Sequence, residues 1–125
     1  MKTNKTARKA GFTLVEIMIV VAIIGLLAAI AIPNFIRARA TSQQNACINN
    51  LRQIDSAIQE WALETGQSNG ANVADVSTVS AYIKMNANNS VPICPANGTY
   101  TVGKVGDNPQ ISCSLSTLES AHALK

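Results

Sequence analysis

One uninterrupted apolar segment constrains this chain more than any other feature of its sequence. Residues 17–32 hold no charged or hydrogen-bonding side chain, and the wider segment 12–36 adds only Thr13, Glu16 and Asn34 as polar positions. A helix over the 25 residues of this segment is about 37 Å long, which exceeds the roughly 30 Å hydrocarbon core of a bilayer. Residues 12–36 are therefore predicted to form a helix that can span a membrane.

The positive charge of the chain is concentrated in front of this segment. The formal net charge is +3, but four cations and no acid fall within residues 1–11, which leaves six basic and seven acidic residues after them. Because cations accumulate on the cytoplasmic side of membrane helices, the N-terminus is predicted in the cytoplasm and the remainder outside it. The basic excess belongs to one short segment, so the global charge does not argue for nucleic-acid binding.

A small residue, Gly11, stands between the basic leader and the apolar segment, the reverse of the order in a secretory signal peptide. Residues 11–16 read Gly-Phe-Thr-Leu-Val-Glu, and the pattern continues through Gly25 and the stretch 33–39. This closely resembles the prepilin-type leader of type IV pilins and type II secretion pseudopilins. The motif-level resemblance covers about the first third of the chain.

The resemblance implies a processing and assembly route. A prepilin peptidase would cut after Gly11 and methylate the new amine of Phe12. A cytoplasmic assembly ATPase and an inner-membrane platform would then add the subunit to a homopolymer, together with minor pilins or pseudopilins. The resemblance also implies that Glu16 pairs with the Phe12 amine of a neighbouring subunit.

Glu16 needs a partner, because an isolated carboxylate in a membrane span costs about 2.5 to 3.5 kcal/mol on insertion scales. It lies one helical turn after Phe12, so the pairing with a terminal amine would supply that partner. The alternative is a carboxylate that is solvated among lipid headgroups.

Gly25 and Pro33 are predicted to weaken the apolar helix. Proline costs about 3 kcal/mol inside a helix and glycine about 1 kcal/mol relative to alanine. One interpretation is a transmembrane kink whose backbone groups are satisfied by neighbouring helices. The other, implied by the resemblance, is a helix break that melts locally in the filament and makes it extensible.

Residues 37–66 are amphipathic, in contrast to the uniformly apolar segment before them. Apolar side chains recur at spacings of four, three, four and three residues: Cys47, Leu51, Ile54, Ile58 and Trp61. This is one face of a helix, so one long helix from about Thr13 to Thr65 is predicted, with its second half packed on a small head. Only about two heptads are present, which argues against a coiled coil.

Residues 67–125 are predicted to form this head. Loops are expected at 67–72 and 86–90, and Asp75 or Ser77 can cap a short helix between them. That helix carries Val79, Tyr82 and Ile83.

A β-hairpin is predicted after the second loop. Apolar residues alternate on both sides of a turn at 106–109, and the tail around His122 and Leu124 is a candidate edge strand. The predicted fold class is α+β and pilin-like: a long N-terminal helix, half membrane-spanning and half amphipathic, packed on a small C-terminal β-hairpin or meander.

The three cysteines are an odd number for a domain placed outside the cytoplasm, so at most one intrachain disulfide can form. Joining Cys94 to Cys113 would close a loop of about 20 residues and contribute roughly 3 kcal/mol in the chain-entropy model. Pairings through Cys47 and a fully reduced set stay open. With His122 the cysteines could supply four zinc ligands, but no clustered spacing such as C-x-x-C appears, so no metal site is predicted.

No motif for catalysis or for a cofactor is present, and the lone His122 does not make a catalytic site. The chain is therefore predicted not to be an enzyme and to hold no cofactor. Type II major pseudopilins often carry calcium, but only Asp107 and Glu119 follow Asp75 here, which are few acids for a calcium cage.

The predicted function is a structural filament subunit, anchored by a single pass in the bacterial inner membrane with its head in the periplasm. The short head and its low charge density favour a secretion pseudopilin over a surface pilin. One alternative is a monomeric, membrane-anchored periplasmic binding module. Another alternative is a DNA-uptake pseudopilin. The basic residues after the leader are scattered and lack interleaved aromatic residues, which argues against nucleic-acid binding. Five of the six basic residues after the leader would carry such binding: Arg37, Arg39, Arg52, Lys84 and Lys104. The expected partners are therefore lipid and protein.

Overall fold

A computed structural model describes residues 11–83, 90–116 and 122–124 of the chain. The chain divides into two compact units, Met1–Arg37 and Ala38–Lys125. Four elements follow one another: helix α1 (Leu14–Thr65), the 3-10 helix η1 (Val76–Tyr82), and strands β1 (Tyr100–Val102) and β2 (Ile111–Cys113). A long apolar N-terminal helix and a small antiparallel sheet confirm the predicted α+β, pilin-like fold class.

The end of α1 is set by a glycine. Gly66 has a φ of 67°, in the left-handed region that glycine adopts without strain. The N–H of Gln67 then donates to the carbonyl of Ala62 at 2.8 Å, which satisfies one of the free carbonyls of the last helical turn. The predicted end of the helix at Thr65 is confirmed.

The second half of α1 supplies the main buried face of the second unit. Cys47, Leu51, Ile54 and Ile58 are fully buried, as their spacing predicted, whereas Trp61 is only partly buried. The small residues Ala57 and Ala62 complete this face. It packs in one core with residues from all the later segments: Val73, Val79, Ile83, Cys94, Val105, Ile111 and Cys113.

The predicted hairpin is confirmed. Strands β1 and β2 are antiparallel, with Tyr100 opposite Cys113 and Val102 opposite Ile111. Ile111 and Cys113 are buried and the intervening residue is not, because alternate side chains point to opposite faces of a strand. The loop at 67–72 also adds an isolated bridge to Lys104, so the hairpin is tied to the chain that follows α1.

The short helix before the hairpin is a 3-10 helix. Asp75 is its N-cap and accepts from the N–H of Ser77, and Val79 is buried in the core. Tyr82 lies at its end and donates its hydroxyl to Glu64 Oε2 at 2.7 Å, which links η1 to the last turn of α1.

The edge strand predicted around His122 and Leu124 is wrong, since residues 122–124 form no strand. The N–H of His122 does donate to the carbonyl of Leu115, at 3.4 Å. His122 itself is buried, so this segment is held by a side chain in the core. The loop predicted at 86–90 lies outside the described residues except for Ser90.

Candidate functional site

The start of α1 holds the residues on which the predicted processing depends. Gly11, Phe12 and Thr13 precede the helix and are exposed. The N–H and the hydroxyl of Thr13 both donate to Glu16 Oε2 at 2.7 Å, and the N–H of Glu16 donates to Thr13 Oγ1 at 3.3 Å. This reciprocal capping box satisfies donors that a helix N-terminus otherwise leaves free. This role was not predicted above, although Thr-x-x-Glu before an apolar run is the sequence signature of a capping box.

The apolar segment at 12–36 is exposed at every position except Ala28, which is partly buried. Each of its large apolar side chains is at least half exposed, and the most apolar part of α1 has no buried residue. An uninterrupted apolar surface of this size is unfavourable in water. By length and composition, α1 can cross a membrane.

Gly25 and Pro33 lie within this exposed segment, and α1 is continuous through both. Pro33 has no N–H, so it cannot donate to the carbonyl of Ala29 one turn earlier. The predicted helix break concerns the subunit in the filament and stays a prediction.

Four side chains of metal-ligand type meet in the core of the second unit. Cys47 comes from α1, Cys94 from the loop before β1, Cys113 from β2 and His122 from the tail. Their ligand atoms all lie within 4.8 Å of one another, and all four residues are buried. His122 Nδ1 lies 3.5 Å from Cys94 Sγ. The four residues come from separate segments of the chain, so their spacing in the sequence did not predict that they would lie together.

Two amide side chains of α1 fasten the loop that carries Cys94. Gln43 donates to the carbonyl of the residue after Cys94 at 3.2 Å, and Asn50 donates to the carbonyl of the residue before it at 3.0 Å. Gln43 and Asn50 lie four residues before and three residues after Cys47, so all three share one helix face. These bonds hold Cys94 close to Cys47.

The turn after Cys94 allows the sulfur atoms to approach closely. The backbone of Ala96 and of Gly98 in this turn acts to lower the pKa of Cys94. A Cβ atom at position 98 would lie 2.6 Å from Cys113 Sγ and 3.2 Å from Cys94 Sγ. Glycine is therefore required at this position for the cluster to close.

The surroundings shift the pKa values of Cys47 and Cys94 in opposite directions. Burial, reinforced by the neighbouring cysteines, raises the pKa of Cys47 to about 12, although the Tyr100 hydroxyl, 3.5 Å from the Cys47 sulfur, acts in the opposite direction. Burial also acts to raise the pKa of Cys94, but the backbone of its turn and the other two thiols outweigh it and lower that pKa. Negative charge is thus held more readily on Cys94 than on Cys47.

All three cysteines are free thiols in this structure. The predicted disulfide between Cys94 and Cys113 is not formed in it and stays a prediction for the oxidised protein.

Comparisons with known proteins agree with the N-terminal features. The family model described as the prokaryotic N-terminal methylation motif matches residues 6–32. The type IV major pilin protein PilA of Myxococcus xanthus is 60% identical over 57 residues, which cover 46% of this chain and 26% of that protein. A fimbrial protein of Neisseria meningitidis is 36% identical over 98 residues, which cover 78% of this chain and 56% of that protein.

A secretion protein is also similar. The type II secretion system core protein G of Aeromonas hydrophila is 28% identical over 60 residues, which cover 48% of this chain and 42% of that protein. The chain thus spans between 26% and 56% of the length of these relatives. No solved structure matches the chain significantly. The methylation motif, the long apolar helix and these relatives support the superfamily of type IV pilins and type II secretion pseudopilins.

Proposed function

We propose that the chain is a structural subunit of a type IV pilus or a type II secretion pseudopilus, and not an enzyme. The exposed apolar segment at 12–36 supports this most strongly. Such a surface is stable only in lipid or against other apolar surfaces. A bilayer would bury it before assembly, and the same segments of neighbouring subunits would bury it in the filament. The names of the relatives, which are pilins and a secretion-system protein, support the same role.

The apolar segment anchors the subunit in the inner membrane before assembly. The cations in residues 1–11 favour a cytoplasmic N-terminus, which places the head in the periplasm. A prepilin peptidase then cuts between Gly11 and Phe12 and methylates the new amine, in keeping with the motif match over residues 6–32.

Assembly then joins Glu16 to the terminal amine of a neighbour. The capping box does not compete with this pairing, because an ionised carboxylate accepts about four hydrogen bonds and Thr13 supplies two of them. The pairing would neutralise both charges as the apolar segments come together. An assembly platform and its ATPase drive the extraction of each subunit from the membrane, and minor subunits join the same filament.

The alternatives to this proposal concern two points: which kind of filament the chain belongs to, and whether it forms a filament at all. Relatives from type IV pili and from a type II secretion system are both similar to the chain, so the proposal covers both kinds of filament. A monomeric, membrane-anchored binding module would have the same apolar helix but would keep residues 1–11 and form no polymer.

Intact-mass and N-terminal analysis of the membrane-extracted protein tests the proposal. The expected mature protein lacks residues 1–11, begins at Phe12 and carries one methyl group, and filaments pellet at high speed. Gly11→Val should keep the leader and form no filament while it still inserts, because the apolar segment is unchanged.

Gly25→Ala is the matched control, since position 25 is also a glycine of the first unit with open space around it. It should be cut normally. Normal removal of the leader from Gly11→Val would exclude the assigned cleavage site, and a wild-type protein that keeps its leader without forming a polymer would favour the anchored binding module.

A further inference from the structure

We propose that Cys47, Cys94, Cys113 and His122 form a structural zinc site in the core of the head. All four side chains are buried and converge on one point from four separate segments of the chain. The proposal does not depend on the filament role, because it concerns only the second unit.

The distances fit a tetrahedral metal site. Zinc–sulfur bonds of about 2.3 Å and zinc–nitrogen bonds of about 2.0 to 2.1 Å imply ligand separations of about 3.6 to 3.8 Å. The observed distance between His122 Nδ1 and Cys94 Sγ is 3.5 Å, and no two ligand atoms are more than 4.8 Å apart. Shifts of at most about 1 Å would therefore close the site on zinc.

The ligand set selects zinc and a structural role. Three cysteines and one histidine are a ligand set of closed, four-coordinate zinc sites, and soft thiolates disfavour calcium and magnesium. All four positions are taken by buried protein groups, so no position is left for a water or a substrate. On binding, the three thiols release their protons to solvent, His122 coordinates as the neutral imidazole, and the site carries a net charge of −1.

The surroundings of the cluster suit that negative charge. The backbone of Ala96 and of Gly98 acts to lower the pKa of Cys94, and the Tyr100 hydroxyl is directed at the Cys47 sulfur. Hydrogen-bond donors to coordinating sulfur orient the ligands and stabilise the thiolates. Gly98 leaves the space that lets Cys113 join them.

A zinc ion uses the cluster more completely than a disulfide would. A bond between Cys94 and Cys113 would leave a buried thiol at Cys47 and a buried imidazole at His122 without a common partner. Zinc engages all four. Zinc also joins α1, the loop before β1, β2 and the tail. Such a link would add stability, because in the described part of the chain only two three-residue strands and one 3-10 helix pack on α1, which is a small core.

The test is the metal content of the full chain, extracted in detergent from cells grown with zinc and dialysed against metal-free buffer. About one zinc ion per chain is expected, with all three thiols protected from alkylation until the protein is unfolded. Cobalt added to the zinc-free protein should give the visible absorption of tetrahedral cobalt together with thiolate charge-transfer bands.

The zinc content of two kinds of variant distinguishes loss of a metal ligand from loss of core packing. Cys94→Ser and His122→Ala should lose at least about ten-fold in zinc content, whereas His122→Cys should keep it, because four cysteines are also a zinc ligand set. Val79→Ala is the control: it removes a buried core side chain that holds no ligand atom and should keep its zinc.

Two results would overturn the proposal. One is a wild-type protein that binds neither zinc nor cobalt with its thiols reduced. The other is a Cys94–Cys113 disulfide found by non-reducing peptide mapping in protein that fails to take up zinc after reduction. Cleavage after Gly11 is unaffected by either result, so the zinc site and the filament role are tested separately.

Discussion

Glu16 carries the only formal negative charge within residues 12–36, and it already has a partner in its own chain. The bonds from Thr13 explain how α1 can begin with a carboxylate, since a capping box satisfies the first backbone donors of a helix. They do not explain why the residue must be charged, because glutamine serves equally well in this motif. The charge is therefore the feature to test.

We expect Glu16→Gln and Glu16→Leu to insert in the membrane but to assemble poorly. Insertion survives because the cost of a charge in lipid is removed. Assembly suffers because the Phe12 amine of a neighbour would be buried without its counter-charge, which typically costs about 3 to 5 kcal/mol. The measurement is the ratio of pelletable filament to processed subunit at equal expression.

Thr13→Ala is the matched control, because it removes the cap and keeps the carboxylate. Loss of the cap costs about 1 kcal/mol of helix stability and should leave filament yield close to wild type. If Glu16→Gln assembled like wild type while Glu16→Leu and Thr13→Ala both failed, capping would be the role of Glu16 and the intersubunit pair would be excluded.

Gly98 allows a second prediction about a single residue. Gly98→Ala would place a Cβ atom 2.6 Å from Cys113 Sγ, and such overpacking costs about 1 to 3 kcal/mol. The midpoint of urea unfolding, followed by the fluorescence of Trp61, the single tryptophan, should fall accordingly. Gly25→Ala has open space and should leave the midpoint unchanged. Equal midpoints for Gly98→Ala and wild type would contradict the close packing of the sulfur atoms.

Among the elements, η1 is held by a cap whose strength depends on pH. Hydrogen bonds from the hydroxyl and then the N–H of Ser77 lower the pKa of Asp75 below its ordinary value of 3.8. The folded state therefore binds fewer protons at this group than the unfolded state. Its contribution to stability is present above pH 3.8 and is lost as the pH falls through the folded pKa.

Asp75→Asn should be less stable than wild type at neutral pH, and the difference should shrink as the pH falls below 3.8 and through the lowered folded pKa of Asp75. The effect is small because Asp75 is exposed and salt screens it. Urea midpoints of both proteins across this range measure it. A difference that stays constant with pH would mean that the charge of Asp75 plays no part in the cap.

In α1, a substitution at Pro33 tests the predicted helix break. Pro33→Ala would restore a donor to the carbonyl of Ala29 and favour the helix by about 3 kcal/mol. If the segment melts in the filament, we expect Pro33→Ala filaments to extend less under force, as measured with optical tweezers. Processing and the unfolding midpoint of the head should not change. Equal extensibility would argue against a helix break at this position.

For the whole molecule, the proposed cleavage after Gly11 would reverse the sign of the charge. Residues 12–125 hold six basic and seven acidic side chains, a formal charge of −1, and cleavage would remove the four cations of residues 1–11. Phosphate binding requires a basic surface and weakens as salt rises. We therefore expect the filaments not to retain double-stranded DNA in co-sedimentation at low salt. Retention that disappears as salt is raised would instead support the DNA-uptake alternative.

Local patterns account for most of the architecture. The helix, its exposed apolar half, the stop at Gly66 and the hairpin all follow from apolar periodicity and turn residues, which act over a few neighbouring positions. The leader motif is also local, because it is one short linear segment of the sequence. None of these features needs a contact between distant parts of the chain.

Long-range packing alone brings Cys47, Cys94, Cys113 and His122 together. Metal ligands are recognisable in a sequence when two of them share one turn, but here each comes from a different segment. Their proximity depends on the packing of the hairpin against α1 and on the bonds from Gln43 and Asn50 to the loop around Cys94. Residue spacing cannot encode such bonds, because they join groups 43 and 52 positions apart.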